Sequence, residues 1–114
     1  MHEASLAANV VEILEERVRD GLIKGRIRVV HLKIGRLSAV LPDHLQFMFE
    51  QVREGTALAE ATLEIEIMPL RIACADCGET HDVQQPSFSC PNCRSPRIEI
   101  LGGRELLVDA VEVL

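Results

Sequence analysis

The sequence predicts an α+β fold, two helices on a small β-sheet, with a four-cysteine module inserted before the last strand. Three observations carry that prediction. Apolar residues recur at helical spacing in two segments, and they alternate or cluster as β-branched runs in others. Between residues 74 and 96 the aliphatics give way to Cys, Pro, Ser, Asn and Gly. At 114 residues and 47% apolar content, the chain is long enough to bury a core of its own.

Residues 4 to 22 read as the first helix. Leu6, Val10, Ile13, Leu14, Val18 and Leu22 form its apolar stripe, and Glu12, Glu15, Glu16 and Arg19 its polar face. Glu15 and Arg19 stand at the favourable i,i+4 spacing, and Gly21 and Gly25 punctuate the end. Residues 26 to 34 (RIRVVHLKI) are rich in β-branched side chains and predict a strand with Val30, Leu32 and Ile34 on one face and His31 on the other. A turn is expected near Gly35. Pro42 then opens a second helix, because its restricted φ suits the first turn and Asp43 suits the positive end of the helix dipole. Leu45, Met48, Phe49 and Val52 make the buried stripe of that helix, His44 falls in its first turn, and Gly55 ends it. Residues 62 to 67 alternate Leu63, Ile65 and Ile67 against Glu64 and Glu66, the pattern of a half-buried strand. After a turn at Gly102-Gly103, residues 105 to 114 return to strand-like sequence, with Leu106, Val108 and Ala110 alternating. The stretch from residue 74 to 96 is too poor in large apolar side chains to build a core alone.

Composition removes several classes of function. Net charge is −6, the wrong sign for a protein that lives on phosphate backbones. Three Phe and no Trp or Tyr leave no stacking platform for single-stranded nucleic acid. Nucleic acid is therefore not an expected partner. The N-terminus lacks a basic region followed by an apolar run, so no secretory signal is read, and no apolar stretch is long enough to span a bilayer. The expectation is a cytoplasmic protein whose thiols stay reduced, with no membrane partner. No Ser/His/Asp grouping, phosphate loop or catalytically spaced carboxylate pair appears, and no enzymatic activity is expected.

The strongest chemical signal is a pair of C-x2-C motifs, Cys74-Ala-Asp-Cys77-Gly78 and Cys90-Pro-Asn-Cys93, separated by twelve residues. A C-x2-C turn lets two thiolates reach one metal, and Gly78 can take the positive φ such a knuckle often needs. Two knuckles face to face supply four soft ligands in a tetrahedron, which is the closed geometry of structural Zn(II). Four cysteines leave no open position, so a catalytic metal is disfavoured. The same pieces resemble the iron knuckles of rubredoxin, which makes an electron carrier the sharper rival. Against it, only Phe88 lies near the cysteines to shield a one-iron centre. Arg71, Arg94 and Arg97 are placed to offset a negatively charged four-thiolate centre, or equally to form a solvated surface.

A second metal hypothesis rests on the first residues. Removal of an initiator Met needs a small second residue, so Met1 is expected to remain and place a free amine before His2. The amine, the ionised amide nitrogen of His2 and its imidazole Nδ1 form fused chelate rings in one plane, which suits Ni(II) or Cu(II). Glu3 can complete the square through its amide nitrogen or its carboxylate. Residue types alone favour a terminus that binds nothing specific.

The opening Met1-His2-Glu3-Ala4-Ser5-Leu6 resembles the start of the HypA/HybF family of nickel-delivery proteins. The likeness continues through Lys33-Ile-Gly-Arg-Leu-Ser38, Phe49-Glu50, Gly55-Thr56 and Leu63-Glu-Ile-Glu66, then the cysteine pairs and Gly103-Arg-Glu-Leu106. It spans essentially the whole chain. The resemblance implies a nickel metallochaperone in which His2, with Met1 and Glu3, holds transient Ni(II), and in which Cys74, Cys77, Cys90 and Cys93 hold structural Zn(II). It implies a HypB-type GTPase and the [NiFe]-hydrogenase large-subunit precursor as partners, with urease maturation served by some members. Residues 1–69 with 101–114 would then form the nickel-binding domain, and residues 70–100 an inserted zinc-ribbon-like domain. A zinc-ribbon adaptor that binds proteins only remains the second rival, and an exposed sheet edge leaves a homodimer open. His81, between the knuckles, is in reach of a docked nickel ion or is simply an exposed loop residue.

Overall fold

The computed structural model describes residues 2–83 and 88–114. Two helices and six strands follow in the order α1 (Glu3–Arg19), β1 (Ile27–Gly35), α2 (Pro42–Val52), β2 (Thr62–Met68), β3 (Leu70–Cys74), β4 (Thr80–Val83), β5 (Ile98–Gly102) and β6 (Leu106–Val113). The α+β class is as expected, but the strands form two three-stranded sheets, ordered β2-β1-β6 and β4-β3-β5. The chain divides into two compact units, one of Met1–Leu32, Val40–Glu66 and Leu107–Leu114, the other of Lys33–Ala39 and Ile67–Leu106.

In the first unit α1 packs on α2. The buried face of α1 is Leu6, Ala7, Val10, Val11 and Leu14, which cluster within little more than a third of the helix circumference at about 100° per residue. Ile13 falls at the edge of that arc and is 48% exposed, so the expected stripe is rotated towards Ala7 and Val11. The helix stops at Arg19, and Leu22, expected in the stripe, is 67% exposed beyond it. Glu15 accepts a hydrogen bond from the Ala57 N–H at 3.0 Å. That glutamate was expected on the polar face of α1. Leu45 and Phe49 of α2 are fully buried, as are Ile27 and Val30 of β1, with Leu32 nearly so. On the outer face of β1, His31 Nε2 and Glu112 Oε2 are hydrogen-bonded at 2.7 Å, and Arg28 reaches the other Glu112 oxygen at 3.0 Å.

The second unit holds the β4-β3-β5 sheet. Its ladders are antiparallel, with Leu70 opposite Val83 and Ile72 opposite His81 on one side, and Cys74 opposite Ile98 on the other. Ile34, Leu70 and Ile72 are its buried aliphatics, all lying outside the apolar-poor stretch from 74 to 96. Gly35 ends β1 at φ −71°, and the turn expected near it follows directly, through the short 3-10 turn Arg36–Ser38 and Ala39 at φ 55°. Gly35 also serves a close approach. Its N–H donates to the Glu105 carbonyl and the Leu37 N–H to the Gly103 carbonyl, both at 2.7 Å. A Cβ on Gly35 would lie 2.1 Å from the Gly103 carbonyl carbon and oxygen.

Candidate metal centre

The first knuckle is built where β3 ends. Cys74 donates its N–H to the Glu79 carbonyl at 2.9 Å, and its own carbonyl accepts from Gly78 N–H at 3.0 Å. Gly78 takes φ 75°, which lets the chain reverse into β4. Cys77 N–H points at Cys74 Sγ from 3.4 Å. The second knuckle repeats this backbone pattern. Cys90 N–H donates to the Ser95 carbonyl, and Arg94 N–H to the Cys90 carbonyl, both at 2.8 Å. Arg94 adopts φ 62°, the place Gly78 holds in the first knuckle. An L-residue there costs on the order of 1–2 kcal/mol, which is why sequence alone gave no sign of a left-handed turn after Cys93.

A polar network that the sequence did not reveal joins the knuckles. Ser95 Oγ donates to Asp76, between the first pair of cysteines, and Arg97 Nη1 donates to the other Asp76 oxygen at 3.0 Å. Arg97 N–H returns to Ser95 Oγ at 3.1 Å, and Ala75 N–H reaches the Arg97 carbonyl at 2.9 Å. Arg71 is paired with Asp82 at 2.7 Å. Two of the three arginines near the cysteines in sequence are therefore engaged by carboxylates.

The four sulfurs converge. All lie within 4.8 Å of one another, with Cys74 Sγ 3.5 Å from Cys93 Sγ and Cys77 Sγ 3.7 Å from Cys90 Sγ. None is in a disulfide. A tetrahedron with metal–sulfur bonds of about 2.3 Å has edges of about 3.8 Å, so the donor set fits a structural metal and suits zinc. The thiols themselves call for a cation. The Cys77 N–H aimed at its sulfur is the main cause that draws the Cys74 thiol down to about 7. At Cys93 the Ser95 N–H also favours the thiolate, but the neighbouring Cys74 sulfur, burial, and the Cys90 and Cys77 sulfurs outweigh it and push that thiol up to about 12. Four thiolates this close repel one another until a divalent cation offsets their charge. Phe88 is 66% exposed and shields nothing, which removes support for a rubredoxin-like centre.

At the other end of the chain, His2 is the exposed N-cap of α1, with φ −77° and ψ 149°. Its carbonyl accepts the Leu6 N–H at 3.0 Å. Glu3 Oε1 accepts the N–H of Leu41, the N-cap of α2, at 3.0 Å. That bond, with the residue's own N–H and the nearby His44 and His2, holds the Glu3 carboxyl below the usual carboxylate range. Met1, expected to supply the amine, lies outside the described residues. His44 is exposed in the first turn of α2, and His81 is half-buried on β4. No helix among the described residues is long and apolar enough to cross a membrane.

Fold and site together define a two-helix α+β protein carrying a closed four-thiolate metal knuckle. Residues 1–113 match the family profile described as hydrogenase/urease nickel incorporation, metallochaperone, hypA. The chain is 41% identical to the hydrogenase maturation factor HypA of Moorella thermoacetica over 98% of both chains. It is 37% identical to that of Desulfatibacillum aliphaticivorans, over 99% of this chain and 87% of the relative. The solution structure of the Ni metallochaperone HypA from Helicobacter pylori superposes with a TM-score of 0.69 at 26% identity, covering 100% of this chain and 98% of the other. The chain belongs to the HypA family.

Proposed function

We propose that this protein is a nickel metallochaperone of hydrogenase maturation that holds Ni(II) at its N-terminus and passes it to the [NiFe]-hydrogenase large-subunit precursor. The observation that carries the reading is His2 at the N-cap of α1. The first N–H groups of a helix have no intrahelical partner, so the amide nitrogen of His2 can lose its proton to a metal without breaking a helical hydrogen bond. The positive end of the helix dipole also favours the negative charge such an amide develops. The Met1 amine, the His2 amide and the imidazole then form one planar donor set. The fourth position, trans to the His2 amide, falls to the Glu3 carboxylate, of which Leu41 N–H engages one oxygen and leaves the other.

Cys74, Cys77, Cys90 and Cys93 hold Zn(II), which supplies the cross-link between two knuckles that share few apolar side chains. The carrier works in the cytoplasm beside a HypB-type GTPase, with a urease as a second client class, and itself catalyses nothing. A nickel site of this kind is exposed and binds weakly enough to release its cargo. The test is transfer. Protein loaded with zinc and radioactive nickel is mixed with purified large-subunit precursor, and the two are separated by size. Nickel recovered with the precursor, and lost when the donor carries His2→Ala, supports delivery. Equal transfer from the mutant would move the cargo site away from His2, and none from either leaves a zinc-dependent adaptor instead.

A further inference from the structure

Away from the N-terminus, a second group of donor atoms converges. Cys77 Sγ, a Glu79 carboxylate oxygen and a His81 imidazole nitrogen all lie within 4.8 Å of one another. The knuckle and the β3–β4 ladder bring them together. Cys77 and Glu79 sit in the connection between the two strands, and His81 stands opposite Ile72. Thr80 and Asp82 face outwards, and the alternation turns His81 to the half-buried side of β4. Its Nε2 is withdrawn from solvent and has no hydrogen-bond partner among the described residues. Glu79 Oε2 is 3.6 Å away, beyond a hydrogen bond.

A buried imidazole nitrogen without a partner is uncommon, because it forfeits hydration and gains nothing in return. Around this imidazole stand a carboxylate and a sulfur. That sulfur belongs to Cys77, which is only half-buried. In a four-thiolate centre the sulfurs share a net double negative charge, and a bound thiolate keeps lone pairs able to bridge to a second cation. One nitrogen, one oxygen and one sulfur form a mixed set that suits Ni(II), Co(II) or Zn(II) and is too soft for Mg(II) or Ca(II).

We propose that Cys77, Glu79 and His81 form a second, exchangeable site for a borderline divalent cation, sharing the Cys77 thiolate with the four-thiolate centre. Three protein donors leave positions for water or for a partner's ligand, so the ion is held loosely. The site stands independently of the N-terminal nickel reading.

The test uses full-length zinc-loaded protein carrying His2→Ala, titrated with Ni(II) and, separately, with Co(II). Sulfur-to-metal charge-transfer absorption is followed in the near ultraviolet, and released zinc is followed with a chromogenic chelator. The expected result is one further equivalent bound, with a charge-transfer band and zinc retained. Adding His81→Ala should lower the affinity by about tenfold or more, as loss of a supporting ligand does. His81→Gln, which keeps a polar side chain on β4, should do the same, and Glu79→Gln should weaken binding with zinc content unchanged. The proposal is overturned if no band forms, if the band grows only as zinc leaves one-for-one, or if the affinity survives both His81 substitutions.

Discussion

Replacing Gly35 with alanine should force two backbone segments of the second unit apart. The added Cβ would meet the Gly103 carbonyl carbon and oxygen at 2.1 Å and the Arg104 nitrogen at 2.5 Å. All three are backbone atoms, so no side chain can swing aside. Ordinary contact needs about 3.5 Å, and the segments must separate by roughly 1.4 Å. That movement stretches the Gly35–Glu105 and Leu37–Gly103 hydrogen bonds, now both 2.7 Å, beyond useful length. Two backbone bonds at about 1–1.5 kcal/mol each, with about 1–3 kcal/mol of overpacking strain, give a loss of roughly 3–6 kcal/mol. Restricting the unfolded chain returns less than about 1 kcal/mol, because φ −71° at Gly35 is open to alanine. Gly21→Ala is the control. That glycine has φ 79° with nothing within 4 Å of the added atom, so only the left-handed backbone is penalised, at about 1 kcal/mol. Urea unfolding of both zinc-loaded mutants reads the difference. A Gly35→Ala protein as stable as Gly21→Ala would refute the close-approach argument.

Two further outcomes follow from the titrating groups. Zinc binding must expel the proton from Cys93, whose thiol is pushed up to about 12, so zinc affinity should rise with pH between about 6 and 8. Competition against a chelator of known proton linkage measures that slope, and a flat profile would contradict the thiol geometry. Glu3 has a lowered carboxyl pKa, so its contribution is complete above the ordinary carboxylate range and is lost as pH falls through the lowered value. Glu3→Gln should therefore lower the unfolding midpoint near neutral pH and converge with the parent protein in acid. A penalty that does not change with pH would remove the Leu41 hydrogen bond from the account.

Period and punctuation made much of the fold legible. The β1 face of Val30, Leu32 and Ile34 and the Pro42 start of α2 stand where the pattern put them, because each is fixed by neighbours a few residues away. The β4-β3-β5 sheet was harder to see. Thr80–Val83 is only four residues long, and the strands are tied by turns rather than by an apolar pattern. Ile13 shows the limit of periodicity, since a residue at the edge of a helical arc is assigned by what packs there. At the site, the cysteine spacing announced the knuckles, but the link from Asp76 to Ser95 and Arg97 joins residues about twenty apart and carries no local signature. The Glu3–Leu41 bond, which changes how Glu3 is read, spans 38 positions for the same reason. The turn near Gly35 was legible, but the close approach of the Gly103 backbone to that glycine was not, because it joins residues far apart in the chain.

Nickel carriage at the N-terminus is tested by a nickel titration of tag-free, zinc-loaded protein beside the His2→Ala variant, with retention of Met1 checked by intact mass. A saturable planar Ni(II) absorption band is expected in the parent protein and should vanish in the variant, while zinc content and fold stay unchanged. A band of equal strength in both proteins, or in neither, would contradict nickel carriage at the N-terminus.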